Sequence, residues 1–119
     1  VVRTRARILC TFVVAASLSG CTLPPRGARY AGDPDPSIKI PAIRQVAAQR
    51  DTAQVPVVVK DLSSDDPAVR FYAIRALQKM TDGDAKGYVY YAPDDERAAA
   101  VERWQAWLAD EQQQNGGAR

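Results

Sequence analysis

Hydrophobic residues along this chain recur with helical spacing. Val69, Ala73, Ala76, Leu77 and Met80 fall at i, i+4, i+7, i+8 and i+11, one face of an α-helix. Phe71 and Ile74 lie on a neighbouring face, so this helix is expected to be covered on two sides. Upstream, Val55, Val58, Val59 and Leu62 sit at i, i+3, i+4 and i+7. The run VPVVV also suits a strand by propensity. Strict alternation is absent, and the helical reading is preferred. Asp51 or Thr52 can cap that helix, and Pro56 then falls near its start, where proline is bearable. Further on, Val101, Trp104 and Leu108 form an apolar row with Ala100 and Trp107 beside it. Asp94 or Asp95 can cap this last helix, with acids in a first turn that favours them.

The pattern repeats. DPSIKIPAIRQVA (35–47) aligns with DPAVRFYAIRALQ (66–78) at an offset of 31 residues. Asp35 matches Asp66, Pro36 matches Pro67, Ile38 matches Val69 and Lys39 matches Arg70. Ala42, Ile43 and Arg44 match Ala73, Ile74 and Arg75, and Val46 matches Leu77. Asp-Pro is a strong helix start: the carboxylate caps, and proline is best tolerated at the first helical position. One departure is Pro41, which stands where the second copy has Tyr72. It is expected to kink the first helix or delay its start. Matching Ala100-Val101 to Ala73-Ile74 gives a weak third copy, as terminal repeats that cap a stack often do.

Helix pairs of this period, with an Asp-Pro-x-Val/Ile-Lys/Arg start and an Ala-rich apolar stripe, resemble HEAT repeats of the short bacterial kind. DDPAVRFYAIRAL carries most of the resemblance, which covers roughly residues 35–80 and extends more loosely to 110. GYVYYAPDDERAAAVERWQAW is similar to a C-terminal extension that accompanies such repeats in some bacterial proteins. The resemblance implies an all-α fold: a short α-solenoid of about four helices in a HEAT-like repeat domain over residues 37–110. It implies a role in protein interaction and no reaction.

The N-terminal segment changes the picture of where such a domain sits. VVRTRAR is short and basic, and the apolar ILCTFVVAASLSG follows. Ile8 to Gly20 is shorter than the ~20 residues of a spanning helix, and the layout is that of a secretory signal over residues 1–20. Leu18, Ser19, Gly20 and Cys21 resemble the lipobox of bacterial lipoproteins. That resemblance implies cleavage before Cys21, lipidation of its thiol and attachment to a membrane of the cell envelope. Stable anchoring takes two or more acyl chains. Thr22, where an Asp would favour inner-membrane retention, leans toward the outer membrane facing the periplasm. Val1 is expected to represent a non-AUG start. Residues 21–36 hold Pro24, Pro25, Pro34, Pro36, Gly27 and Gly32, and are expected to form a flexible tether. Residues 111–119 are polar, contain glycine and are expected to be a disordered tail.

Composition narrows the chemistry. No histidine is present, which removes the commonest general base and metal ligand. Cys10 and Cys21 are the two cysteines, too few for a zinc site, and on the lipoprotein reading neither remains a free thiol. Beyond residue 20 the chain carries 13 basic and 14 acidic side chains. Such a balance gains little from counterion release and disfavours nucleic acid as a partner. DGDAKG (82–87) suggests a calcium loop, but Lys86 and Pro93 stand where oxygen ligands belong, and a polar turn is the better reading. Asp65-Asp66 and Asp94-Asp95-Glu96 stand at helix starts, where capping explains them. No cofactor, metal or catalytic set is expected.

Contact with a partner is the function this pattern points to. Lys39 with Arg70, and Arg44 with Arg75, would line up as a basic ladder in stacked repeats. The ladder could bind an acidic partner or anionic headgroups; ion pairing with helix-start aspartates and plain solvation is preferred. Tyr88, Tyr90 and Tyr91 are either core or a surface hot spot, while helical spacing favours core for Trp104. Two clear repeats and one degraded one make a small core, so docking on an unidentified protein or homo-oligomerisation would supply burial. The leading expectation is a lipid-anchored adaptor without enzymatic activity. A structural spacer lipoprotein, or a non-catalytic subunit of an envelope enzyme complex, is the alternative.

Overall fold

The computed structural model describes residues 31–117. The residues expected to form the signal and lipobox, including Cys21, and most of the segment expected to be a tether lie outside the described residues. Four α-helices make up the domain: α1 (Pro36–Gln49), α2 (Val55–Asp61), α3 (Pro67–Met80) and α4 (Asp94–Gly116). A short 3-10 turn, Thr52–Gln54, leads into α2. No strand occurs among the described residues. The fold is all-α, a short solenoid in which α1 packs on α3, α3 on α2, and α2 on α4.

The repeat is visible as geometry. α1 and α3 are each 14 residues long and start at matched prolines. Asp35 accepts from the Ser37 amide, and Asp66 accepts from those of Ala68 and Val69, satisfying amides that a helix start leaves without partners. Three of the four matched apolar positions are matched in burial, Ala42 with Ala73, Ile43 with Ile74 and Val46 with Leu77, all in the core, whereas Val69 is buried and its match Ile38 is 42% exposed. α2 contributes Val55, Val58, Val59 and Leu62, the row that spacing predicts. α4 closes the stack with Ala100, Val101 and the fully buried Trp104.

Several local expectations are corrected. Asp51 makes no side-chain cap bond, because the 3-10 turn precedes the α-helix. Pro56 therefore stands at the beginning of α2, where its missing N–H removes no helical bond. Pro93, not Asp94 or Asp95, occupies the N-cap of α4, and the acids Asp94, Asp95 and Glu96 fill the first turn. α4 runs on through Gly116, so residues 111–116 are helical rather than a disordered tail. At the other end Ala31 is fully buried in the core, so the packed domain begins before residue 37. Phe71 is 37% exposed, so α3 is not fully covered on its second side.

Pro41 does not delay α1, which begins at Pro36 and remains helical through it. The cost is local. Pro41 has no N–H for the Ser37 carbonyl, and its ring faces solvent. An exposed interior proline disfavours a helix by up to ~3 kcal/mol relative to alanine, partly offset by its stiffening of the unfolded chain. Pro41→Ala is therefore expected to stabilise the domain by about 1–2 kcal/mol. Urea unfolding followed by circular dichroism checks this; an unchanged or lower midpoint contradicts it.

Candidate interaction surface

The predicted basic ladder divides into two inner and two outer residues. Lys39 Nζ lies 2.7 Å from Asp61 Oδ1, tying α1 to the end of α2. Asp61 is itself buried, and its Oδ2 has no hydrogen-bond partner among the described residues. Burial raises the Asp61 carboxyl above its ordinary pKa, with Lys39 acting in the opposite direction. Arg70 is also buried, 8% exposed. Its Nη1 donates to the carbonyls of Ser64 (2.8 Å) and Asp65 (3.0 Å), and its Nε to that of Tyr90 (3.0 Å). Lys39 and Arg70 are thus fasteners inside the fold, not surface ligands. Neither pairs with a helix-start aspartate side chain; Lys39 reaches the end of α2, and Arg70 bridges the turn before α3 and the loop after it.

Arg44 and Arg75 remain outside. Because α1 and α3 pack together in the same repeat register, both line one groove of about 880 Å³. Phe71, Arg75 and Lys79 succeed one another at every fourth residue of α3. Pro41, Gln45 and Ala48 line it from α1. Arg44, Arg75 and Lys79 form no salt bridge among the described residues, and no carboxylate lines the groove. The Arg44 guanidinium stands 5.8 Å from the Tyr72 ring centroid, a cation–π distance.

The three tyrosines take three different places. Tyr88 is core: it is 4% exposed, and its hydroxyl donates to the Leu62 carbonyl at 2.6 Å. Burial raises its phenol pKa, against the pull of Arg70 and Arg97. Tyr90 is half-buried, with Arg70 holding its carbonyl. Tyr91 is surface, 75% exposed. Phe71 links them to the groove. Its ring meets Tyr72 and Tyr90 edge-on at centroid distances of 5.3 and 5.1 Å, and Tyr90 meets Tyr91 at 5.0 Å. Phe71 and Lys79 are the residues that sequence reading missed here. The exposed flank of α3 is their signal, because both fall four residues from Arg75.

The α3–α4 loop is built from local polar contacts. Asp82 Oδ1 accepts from the Asp84 amide, and Asp84 Oδ1 from the Lys86 amide. Both aspartates form turns of the kind such side chains favour. Lys86 Nζ stands 4.9 Å from the centroids of both Trp104 and Trp107. Gly87 has φ +73°, a left-handed backbone conformation that favours glycine at this turn.

Residues 23–104 match the HEAT repeat family. The chain belongs to that family. The match spans more than half of the sequence and includes both Asp-Pro helix starts. No curated protein and no solved structure matches the chain. HEAT repeats are helical units used in protein interaction, and the family is typically non-catalytic. In this HEAT domain the inner basic positions of the repeat hold the helices together, while the outer ones border an open groove.

Proposed function

We propose that this protein is a lipid-anchored adaptor of the bacterial cell envelope, which holds a partner protein in the α1/α3 groove. The observation that carries the reading is the groove itself. It presents three cations that form no salt bridge among the described residues, beside an aromatic edge on a HEAT repeat scaffold. A spacer lipoprotein has no use for such an edge, because exposed aromatics are the usual anchors of binding hot spots. The anchoring half of the proposal rests on the lipobox-like Leu18 to Cys21 and the apolar segment before it.

A photoreactive side chain at Gln45, on the groove wall, is expected to crosslink a partner protein in intact cells. The same group at exposed Glu102 on α4 is expected not to. Cys21→Ser is expected to move the protein from the membrane fraction to the soluble fraction. Equal crosslinking from both positions would remove the groove from the proposal. Unchanged membrane association of Cys21→Ser would remove the acyl anchor.

A further inference from the structure

Charge is segregated on this domain. Residues 31–117 carry 10 basic and 14 acidic side chains, so the domain is negative as a whole. The groove has the opposite sign: Arg44, Arg75 and Lys79 line it, and no carboxylate does. In cellular salt a charge is felt over about 8 Å. A large anionic surface, such as a bilayer or a nucleic acid, would meet the rest of this net-negative domain along with the groove. Two copies of the chain would also bring two net-negative bodies together. A short anionic segment would meet the groove alone.

The apolar half of the groove narrows the partner further. Phe71, 37% exposed, is braced edge-on by Tyr72 and Tyr90. A braced ring loses little freedom when a ligand covers it, which favours it as an anchor point. Arg44 lies against Tyr72, so cation and ring are offered side by side. We propose that the α1/α3 groove docks an acidic segment of a partner protein. Its carboxylates meet Arg44, Arg75 and Lys79, and one apolar or aromatic side chain packs on Phe71. This rests on the interaction reading above and adds the chemistry of the partner.

The test is selection of short random peptides, displayed on phage, against the full chain in detergent micelles. Selected peptides are expected to be rich in Asp and Glu around a Phe, Trp or Leu. A synthetic peptide of that kind is expected to bind Arg44→Glu/Arg75→Glu at least about tenfold more weakly, and to bind the parent more weakly as salt rises. Both arginines are exposed, so circular dichroism of the variant should match the parent. Selected peptides without acidic enrichment, or equal binding to the variant, would overturn the proposal. Two further results would reassign the groove. Binding of Cys21→Ser to phosphatidylglycerol vesicles, lost on adding the double substitution, would assign it to lipid headgroups. A dimer in sedimentation, dissociated by the same substitution, would assign it to a second copy. Crosslinking from Gln45 that survives the charge reversal would overturn the acidic partner while leaving the adaptor reading in place.

Discussion

Trp104→Ala is expected to lower the free energy of unfolding by about 3–5 kcal/mol. Trp104 is fully buried, and its indole Nε1 donates to the Ala85 carbonyl at 3.1 Å. It meets Trp107 edge-on with centroids 5.5 Å apart, and Lys86 Nζ lies 4.9 Å from its ring centroid. Alanine would remove the packing of α4 against the stack and leave a cavity that the surrounding structure closes only in part. It would also release the α3–α4 loop at Ala85. A domain of this size has roughly 4–13 kcal/mol of total stability, so the variant is expected to be partly unfolded at growth temperature. Trp104→Phe separates the contributions. It keeps most of the packing, loses the hydrogen bond, and should cost about 1–2 kcal/mol. Urea unfolding followed at 222 nm reads both. Equal, small losses for the two variants would show that α4 is not clamped through this residue.

Much of the scaffold was legible in the sequence. The Asp-Pro starts, the 31-residue offset and the apolar rows are written in neighbouring residues, and capping and helical period act over a few positions. The interaction surface was less so, because it depends on which flank a neighbouring helix leaves open. Phe71 and Ile74 both lie off the main stripe of α3, yet Ile74 is buried and Phe71 half-open. The tyrosines show the same limit. Tyr88, Tyr90 and Tyr91 lie within four residues of one another in an irregular loop, where no period tells inside from outside. Their fates are set by Leu62, 26 residues away, which takes the Tyr88 hydroxyl, and by Arg70, which takes the Tyr90 carbonyl. The end of α4 was misread for another reason. EQQQN is polar but contains good helix formers, and a helix already nucleated can extend through it to the cap at Gly117.

Arg70→Met is expected to destabilise the domain by about 2–4 kcal/mol, although the residue matches others of a basic ladder that sequence alone places on a surface. Methionine keeps the apolar stem and removes three charge-assisted hydrogen bonds. The carbonyls of Ser64, Asp65 and Tyr90 would lose the guanidinium that joins the turn before α3 to the loop before α4. Arg70→Lys keeps the charge but not the fork, and one ammonium cannot replace a planar group spanning both segments, so it should recover only part of the loss. Arg75→Met is the control: it alters the outer ladder position, exposed and without a salt bridge among the described residues, and should stay within about 0.5 kcal/mol of the parent. At roughly 4–8 °C per kcal/mol for a domain of this size, thermal melts resolve the two easily. Equal, small effects at 70 and 75 would show that Arg70 is no fastener. The expected contrast separates two uses of one repeated basic pattern. The inner position, filled by Lys39 in one copy and Arg70 in the other, locks each repeat to the segment that follows it. The outer position, Arg44 and Arg75, carries little of the fold and is therefore free to serve binding.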